Sequence, residues 1–307
     1  ELDGYRVDAV KHMPHSVYFN FQSRVKGEIE HTAAGGDEDF YTVGETFSGD
    51  RDLIKSYVNE DELDAQFDFS LYWSILSVLG RGEGSMTDLE ASFQASAGAY
   101  DGFLMSTFLG NHDVERFVSH AAGEVGSLYG DGACGQDGWI RGPAGAPSFE
   151  EPYLRLKLAW TFLLTNEGLP LVYYGDEVGL PGYHDPDNRQ LMRFPGQLSS
   201  YEEGVLAHVQ TLGQARQAHP ALSGGQRTQW WAEEDLLAWA RVDGDSQVLV
   251  VLNRSWEERT ITNGLAFAGL SEGVYGDLLS SESYPAQGDS LSVTVPALGS
   301  RVLVLED

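Results

Sequence analysis

The stretch Gly4-Tyr5-Arg6-Val7-Asp8-Ala9-Val10-Lys11-His12 decides how this chain is read. Tyr5, Val7 and Val10 favour a strand, and a strand sends successive side chains to opposite faces. Gly4, Arg6 and Asp8 then share one face, and Tyr5, Val7 and Ala9 the other. A guanidinium and a carboxylate two positions apart on one strand face are costly to bury unless they pair or take part in chemistry. On these residues alone, a structural Arg–Asp pair at a strand end and a working carboxylate have equal standing.

Two later stretches shift the balance. Tyr41-Thr42-Val43-Gly44-Glu45-Thr46-Phe47 is a second short apolar strand with an acid at its C-terminal end. Phe108-Leu109-Gly110-Asn111-His112-Asp113 is a third. Three separate strands each end in a carboxylate, with helical segments between them. In a barrel of parallel strands the C-terminal strand ends meet on one face, where catalytic side chains gather.

Taken together, GYRVDAVKH, GET and FLGNHD resemble conserved regions of the α-amylase family of glycoside hydrolases (family 13). The resemblance runs over nearly the whole chain, and the combination in this order is what makes it specific; GET by itself is weak. It implies an α/β fold, a (β/α)8 TIM barrel present here only from about the fourth strand onward, followed by an antiparallel β-sandwich domain. Asp8 matches the family's nucleophile. Glu45 matches the general acid/base, which must carry a proton before the bond breaks. Asp113 matches the third acid, which stabilises the transition state and grips sugar hydroxyls. Arg6 would stand beside Asp8 as its countercharge, and His112 would bond a substrate hydroxyl next to the scissile bond. Lys11-His12 is a pair typical of α-amylases and would contact sugars on the leaving-group side. The backbone carbonyl of His12 would also help to hold a structural calcium ion whose other ligands lie upstream. In Asp185-Pro186-Asp187-Asn188-Arg189, Asp185 and Arg189 match residues that bind glucose units on the non-reducing side.

Plainer readings compete at several of these places. The 185–189 segment also suits a turn with a local Asp–Arg pair. Asp176-Glu177 follows a strand and favours a helix start, so its reading is structural. Trp230-Trp231 could stack on sugar, but core packing is the better reading. Cys134 is the only cysteine, so the chain has no internal disulfide; it lies in a glycine-rich loop with no adjacent base.

Along the chain, Val17, Phe21, Val25 and Ile29 recur every four residues and predict a helix with one apolar face. Gly35-Gly36-Asp37 marks the turn into a strand at 40–44, and helices follow at 50–58, 70–79 and 87–97. Strands are expected at 65–69 and 104–109. Residues 121–150 hold eight glycines and two prolines without periodicity and read as a long loop bordering the cleft. Glu150-Glu151-Pro152 opens a helix with Leu154, Leu158 and Phe162 on one face. Residues 168–175 read as a buried strand, and 203–219 as a helix facing the core with Val205, Val209 and Leu212. Domain boundaries follow: 1–221 for the barrel part and 222–307 for a C-terminal domain of alternating strands. Strand–helix units begin near 2, 40, 65, 104 and 169, which is fewer than the eight a closed barrel needs. Three units are therefore expected upstream, and the piece by itself is expected to be inactive.

Composition limits the partners. The chain of 307 residues carries 19 basic and 47 acidic side chains, a net charge of −28. Such a surface repels nucleic acid and anionic membranes and suits a neutral substrate such as an α-glucan. Solubility accounts for it; a salty or acidic habitat is the alternative. No apolar run reaches the roughly 18–20 residues of a membrane span. The family resemblance places the protein outside the cell or in the periplasm. The leading functional reading is a retaining hydrolase of internal α-1,4 bonds in starch-type glucans. The alternatives are a family-13 transglycosylase, an α-glucosidase preferring oligosaccharides, and, less favoured because all three acids are present, a non-catalytic sugar-binding barrel.

Overall fold

The computed structural model describes residues 2–30, 40–128 and 143–306. The turn expected at Gly35-Gly36-Asp37, and Cys134 with most of the glycine-rich loop, lie outside the described residues. The chain forms two compact units. One comprises Glu1–Ser74, Ala91–Phe108 and Gly168–Leu171; the other comprises Ile75–Glu90, Leu109–Glu167 and Val172–Asp307.

The first unit is built on parallel strands in chain order: β1 (Gly4–Val7), β2 (Tyr41–Gly44), β3 (Ala65–Gln66), β4 (Ser106–Phe108) and β5 (Leu169–Leu171). β1, β2 and β3 pair directly, a bridge between Phe67 and Ser106 links β3 to β4, and β4 pairs with β5. Two glycines permit the close packing at β1 and β2. A Cβ at Gly4 would lie 2.1 Å from the Tyr41 carbonyl oxygen, and one at Gly44 would lie 2.6 Å from Leu63 Cδ1. Helix α1 (His15–Arg24) follows β1, and α2 (Arg51–Ser56) follows β2. Asp50 caps α2 by accepting from the amides of Asp52 and Leu53 at 3.0 and 3.1 Å, satisfying donors that the helix start leaves free. Helices α3 (Phe69–Ile75) and α4 (Met86–Ala99) lie between β3 and β4 in the chain. Tyr72 stacks on Phe108 at 4.7 Å, with Phe67 and Phe69 set edge-on to the same ring.

Three expectations need correction here. The quoted first stretch is strand only to Val7: Ala9 adopts a left-handed conformation (φ 50°) and Val10–His12 turns as a 3-10 helix. On α1 the buried residues are Tyr18, Gln22 and, just past its end, Val25, while Val17 is exposed. A helix advances about 100° per residue, so a repeat of four drifts about 40° each time and walks off the buried stripe. The 168–175 segment is strand only at β5. Leu169 and Val172 are exposed, since β5 pairs on one side only among the described residues.

The second unit holds α5 (Phe117–Ala121), α6 (Glu151–Thr165), α7 (Ser200–Ala218), α8 (Pro220–Gly224) and the antiparallel strands. Helix α6 is buried almost all round rather than along one stripe. A capping box between Ser199 and Glu202 starts α7, whose buried positions include Val205 and Leu212. The strands are β6 (Gln226–Ala232), β7 (Leu236–Asp243), β8 (Ser246–Asn253), β9 (Arg259–Gly264), β10 (Val274–Asp277), β11 (Ser283–Pro285), β12 (Ser290–Val295) and β13 (Gly299–Leu305). They form a six-stranded sheet in the order β11-β10-β13-β8-β7-β6 and a β12–β9 pair. Ile261, Leu291, Val293 and Val295 of the pair share one core with Trp230, Ala238, Leu249 and Leu303 of the larger sheet.

The chain does not alternate along β7 and β8 as expected. Residues from Leu236 to Arg241 and from Gln247 to Asn253 are buried on both faces. The face turned from the sandwich core is covered by helices: Phe162 of α6 meets Trp239 at 5.6 Å. A strand covered on both sides needs a continuous apolar run. Trp230 lies in the core and donates Nε1–H to the Gly264 carbonyl at 2.6 Å, which accords with packing rather than sugar stacking.

Candidate active site

The expected site residues fall into two clusters, one in each unit. In the first, β1 and β2 run parallel with Val7 opposite Gly44, so Asp8 and Glu45 each stand one residue past the C-terminal end of neighbouring strands. The pairing continues past the strands: Glu45 N–H donates to the Val7 carbonyl and Val10 N–H to the Glu45 carbonyl, both at 2.8 Å. The left-handed turn at Ala9 aims its own N–H at Glu45 Oε2, 3.2 Å away. Glu45 is 7% exposed, whereas the Asp8 side chain is 72% exposed and ion-paired with Arg6 Nη1. One carboxyl is enclosed and braced by the backbone, and the other faces solvent. Lys11 Nζ bonds the Phe47 carbonyl at 2.6 Å, which ties the turn after β1 to the segment carrying Glu45. Phe47 is itself partly exposed and packs on Phe69 at 4.8 Å.

His12 is exposed on the 3-10 turn. It offers a calcium ion one backbone carbonyl, against the six to eight oxygens such an ion takes. Among the described residues no group of three or more His, Cys, Asp or Glu side chains is arranged to hold a metal ion. His12 thus supplies at most one of the oxygens such an ion takes.

The second cluster brings His112, Asp113, Asp185 and Arg189 together. His112 Nε2 lies 3.2 Å from Asp113 Oδ2, Arg189 Nη2 lies 3.7 Å from Asp113 Oδ1, and Arg189 Nε lies 3.2 Å from Asp185 Oδ1. All four side chains keep substantial solvent exposure. The turn reading and the binding reading of 185–189 are therefore compatible, because the local pair leaves both groups accessible. Asp113 N–H bonds Asn111 Oδ1 at 2.8 Å. Asp187 organises the loop by accepting from the amides of Tyr183 and Ala144 at 2.8 and 3.0 Å.

Beneath this cluster lies a buried charge that the sequence reading passed over. Arg116 is 1% exposed and bonds Asp176 Oδ1 and the Tyr174 carbonyl through Nη1 at 2.8 and 2.7 Å. Its Nε bonds the Asn188 carbonyl at 2.8 Å, and its guanidinium lies over the Tyr173 ring at 4.1 Å. Burial pushes the Asp176 carboxyl up to about 6, against the pull of the Arg116 guanidinium. The structural reading of Asp176 fits this pairing. Arg116 follows the quoted NHD by three positions and Asn188 lies inside DPDNR, so proximity to those motifs was the available signal. Glu115, His120 and His184 form a further small group, with Glu115 3.9 Å from His120 Nε2 and 3.6 Å from His184 Nδ1.

Residues 1–130 match the family model described as alpha amylase, catalytic domain, and residues 229–302 match that of the maltogenic amylase C-terminal domain. The chain belongs to the α-amylase family of glycoside hydrolases. It comprises part of an α-amylase catalytic domain followed by a C-terminal antiparallel sheet domain. This α-amylase-family chain is 30% identical over 295 residues to a beta/alpha-amylase of Paenibacillus polymyxa, covering 96% of the chain and 21% of that protein. It is 30% identical over 284 residues to a cyclomaltodextrin glucanotransferase of Geobacillus stearothermophilus, covering 91% of the chain and 34% of that enzyme. The chain thus spans between about a fifth and a third of the length of these curated relatives. Among solved structures, an Anoxybacillus α-amylase superposes with a TM-score of 0.80 at 25% identity, over 99% of this chain and 58% of that one. The Geobacillus thermoleovorans α-amylase, solved with acarbose, gives 0.77 at 25% identity, over 99% of this chain and 60% of that one.

Proposed function

We propose that this protein is a retaining glycoside hydrolase that cleaves internal α-1,4-glucosidic bonds of starch-type glucans. The observation that carries the reading is the placement of Asp8 and Glu45 one residue past the ends of two hydrogen-bonded parallel strands. Such strands lie about 4.7–4.9 Å apart, near the roughly 5–5.5 Å carboxyl separation of retaining enzymes. Glu45, enclosed and braced by Ala9 N–H, gives its proton to the glycosidic oxygen. Asp8, open to solvent, attacks the anomeric carbon, and the C–O bond to the leaving sugar breaks. Glu45, now a carboxylate, takes a proton from water as that water attacks the glycosyl–Asp8 ester; the ester breaks and both acids are restored. Arg6 holds one oxygen of Asp8 as its countercharge. Asp113 and His112 grip sugar hydroxyls, Lys11 and His12 contact the leaving-group side, and Asp185 with Arg189 bind the non-reducing side. A structural calcium ion would take most of its ligands from outside the described residues.

A transglycosylase is the second reading, favoured by the similarity to a cyclomaltodextrin glucanotransferase. The two differ in what accepts the sugar from Asp8: water or another glucan. Product analysis on starch and on maltotriose separates them, since a hydrolase releases a range of maltooligosaccharides of retained configuration, and longer or cyclic products in excess would refute hydrolysis as the main reaction. In the full-length protein, Asp8→Asn and Glu45→Gln are each expected to lower kcat by at least about a thousandfold while glucan binding persists. Undiminished turnover in either variant would refute the assigned chemistry.

A further inference from the structure

We propose that Asn188 and Arg116 are positioning residues that lock the His112–Asp113 turn to the Asp185–Arg189 loop. This rests on the glucan-cleaving reading for its catalytic consequence, though the geometry stands without it. Asn188 is fully buried and donates both amide hydrogens of Nδ2 to backbone carbonyls, His112 at 2.9 Å and Val114 at 2.8 Å. Those two carbonyls flank Asp113. The backbone carbonyl of Asn188 in turn accepts from Arg116 Nε at 2.8 Å. Arg116 spends its Nη1 on Tyr174 and Asp176, and its N–H bonds the Gly182 carbonyl at 3.0 Å. The next residue, Arg189, reaches from the same loop to the His112 carbonyl at 3.2 Å and to Asp113.

The cost of this arrangement shows what it is for. Asn188 Oδ1 is buried with no hydrogen-bond partner among the described residues, as is Arg116 Nη2. Buried polar atoms are seldom left unpaired, and those that are call for a specific reason. An apolar side chain at 188 would avoid the unpaired oxygen but could not bridge two carbonyls on either side of an acid. A Cβ at Gly182 would fall 2.6 Å from the Asn188 Cα, so the loop closes on this residue with no room for slippage. The amide of Asn188 thus sets where the Asp113 carboxylate stands relative to Arg189, without itself reaching a sugar.

The test compares the full-length wild type with Asn188→Asp, which keeps the shape but removes both donors, and with Arg116→Lys, which keeps the charge but loses the fork. Maltoheptaose kinetics and amide hydrogen exchange over residues 111–115 are read together with circular dichroism. The expected result for N188D is native ellipticity, kcat lowered roughly ten- to a hundredfold, KM changed by less than about threefold, and exchange at 112–114 at least about tenfold faster. A purely structural role would lower activity only in proportion to the unfolded fraction, and that result overturns the proposal, as does unchanged kcat and exchange. If N188D does not fold, R116K decides by the same criteria. If the wild type cleaves no glucan, the functional reading fails by itself, and the exchange data still decide the lock.

Discussion

The acid sensitivity of this protein should depend measurably on one histidine. His208, on α7, is partly buried, with Nε2 2.8 Å from Thr161 Oγ1 and 3.1 Å from the Lys157 carbonyl. A carbonyl only accepts, so Nε2 carries a hydrogen. Burial, and then the nearby Lys157 ammonium, push the imidazole down to about 4, although the Lys157 carbonyl favours the charged ring. An unfolded chain takes up the proton near pH 6.5, and the folded one not until about 4. Above 6.5 neither form is charged and the full contribution is present; as pH falls towards 4 the unfolded state alone binds the proton and stability is lost. The gap between 6.5 and about 4 corresponds to about 3 kcal/mol, reduced to about 2–3 kcal/mol by the water that still reaches the ring. Asp176 acts in the opposite sense, because its raised carboxyl gains a proton on folding between about 6 and 3.8. The whole-protein curve therefore hides both effects. Urea unfolding of wild type and His208→Gln at steps from pH 7 to 4 separates them, since Asp176 is common to both proteins. The difference in unfolding free energy should fall by about 2–3 kcal/mol across that range, in favour of the glutamine variant at low pH. A difference that stays flat within about 0.5 kcal/mol would refute the reasoning.

Two other perturbations test the packing. Arg227 pairs with Glu90 through two bonds of 2.8 and 2.6 Å, with both side chains almost wholly buried, so Arg227→Ala should cost about 3–5 kcal/mol in urea unfolding by removing the countercharge of a buried carboxylate. Arg227→Met with Glu90→Leu should recover most of that loss. Gly44→Ala should cost about 1–3 kcal/mol in thermal unfolding, because the new methyl would lie 2.6 Å from Leu63 Cδ1 and 2.8 Å from Val10 Cγ2, and an unchanged melting temperature would contradict the close approach of β1 and β2.

What the sequence determined by itself was whatever depends on neighbours along the chain. Short apolar runs leading to Asp8 and Glu45 marked strand ends, and Asp50 and the Glu150-Glu151-Pro152 start marked helix ends, because capping and strand propensity act within a few residues. Asp113, by contrast, stands in a turn five residues past the end of β4, and α7 begins at Ser200 rather than at 203. The sandwich strands at 236–240, 247–252 and 291–295 were legible for the same reason. What only tertiary structure decided was which face of an element is covered. Spacing on α1 pointed to Val17, but packing buried Tyr18 and Gln22; β7 and β8 lost their expected alternation once helices covered the second face. The site divides in the same way. Arg6 and Asp8 are two residues apart and were paired from sequence, whereas Arg116 meets Asn188 across 72 positions, and Asn188 meets His112 across 76. A hydrogen bond of that kind has no local signature, since its energy depends on a distance in space that the chain sets only after it has folded.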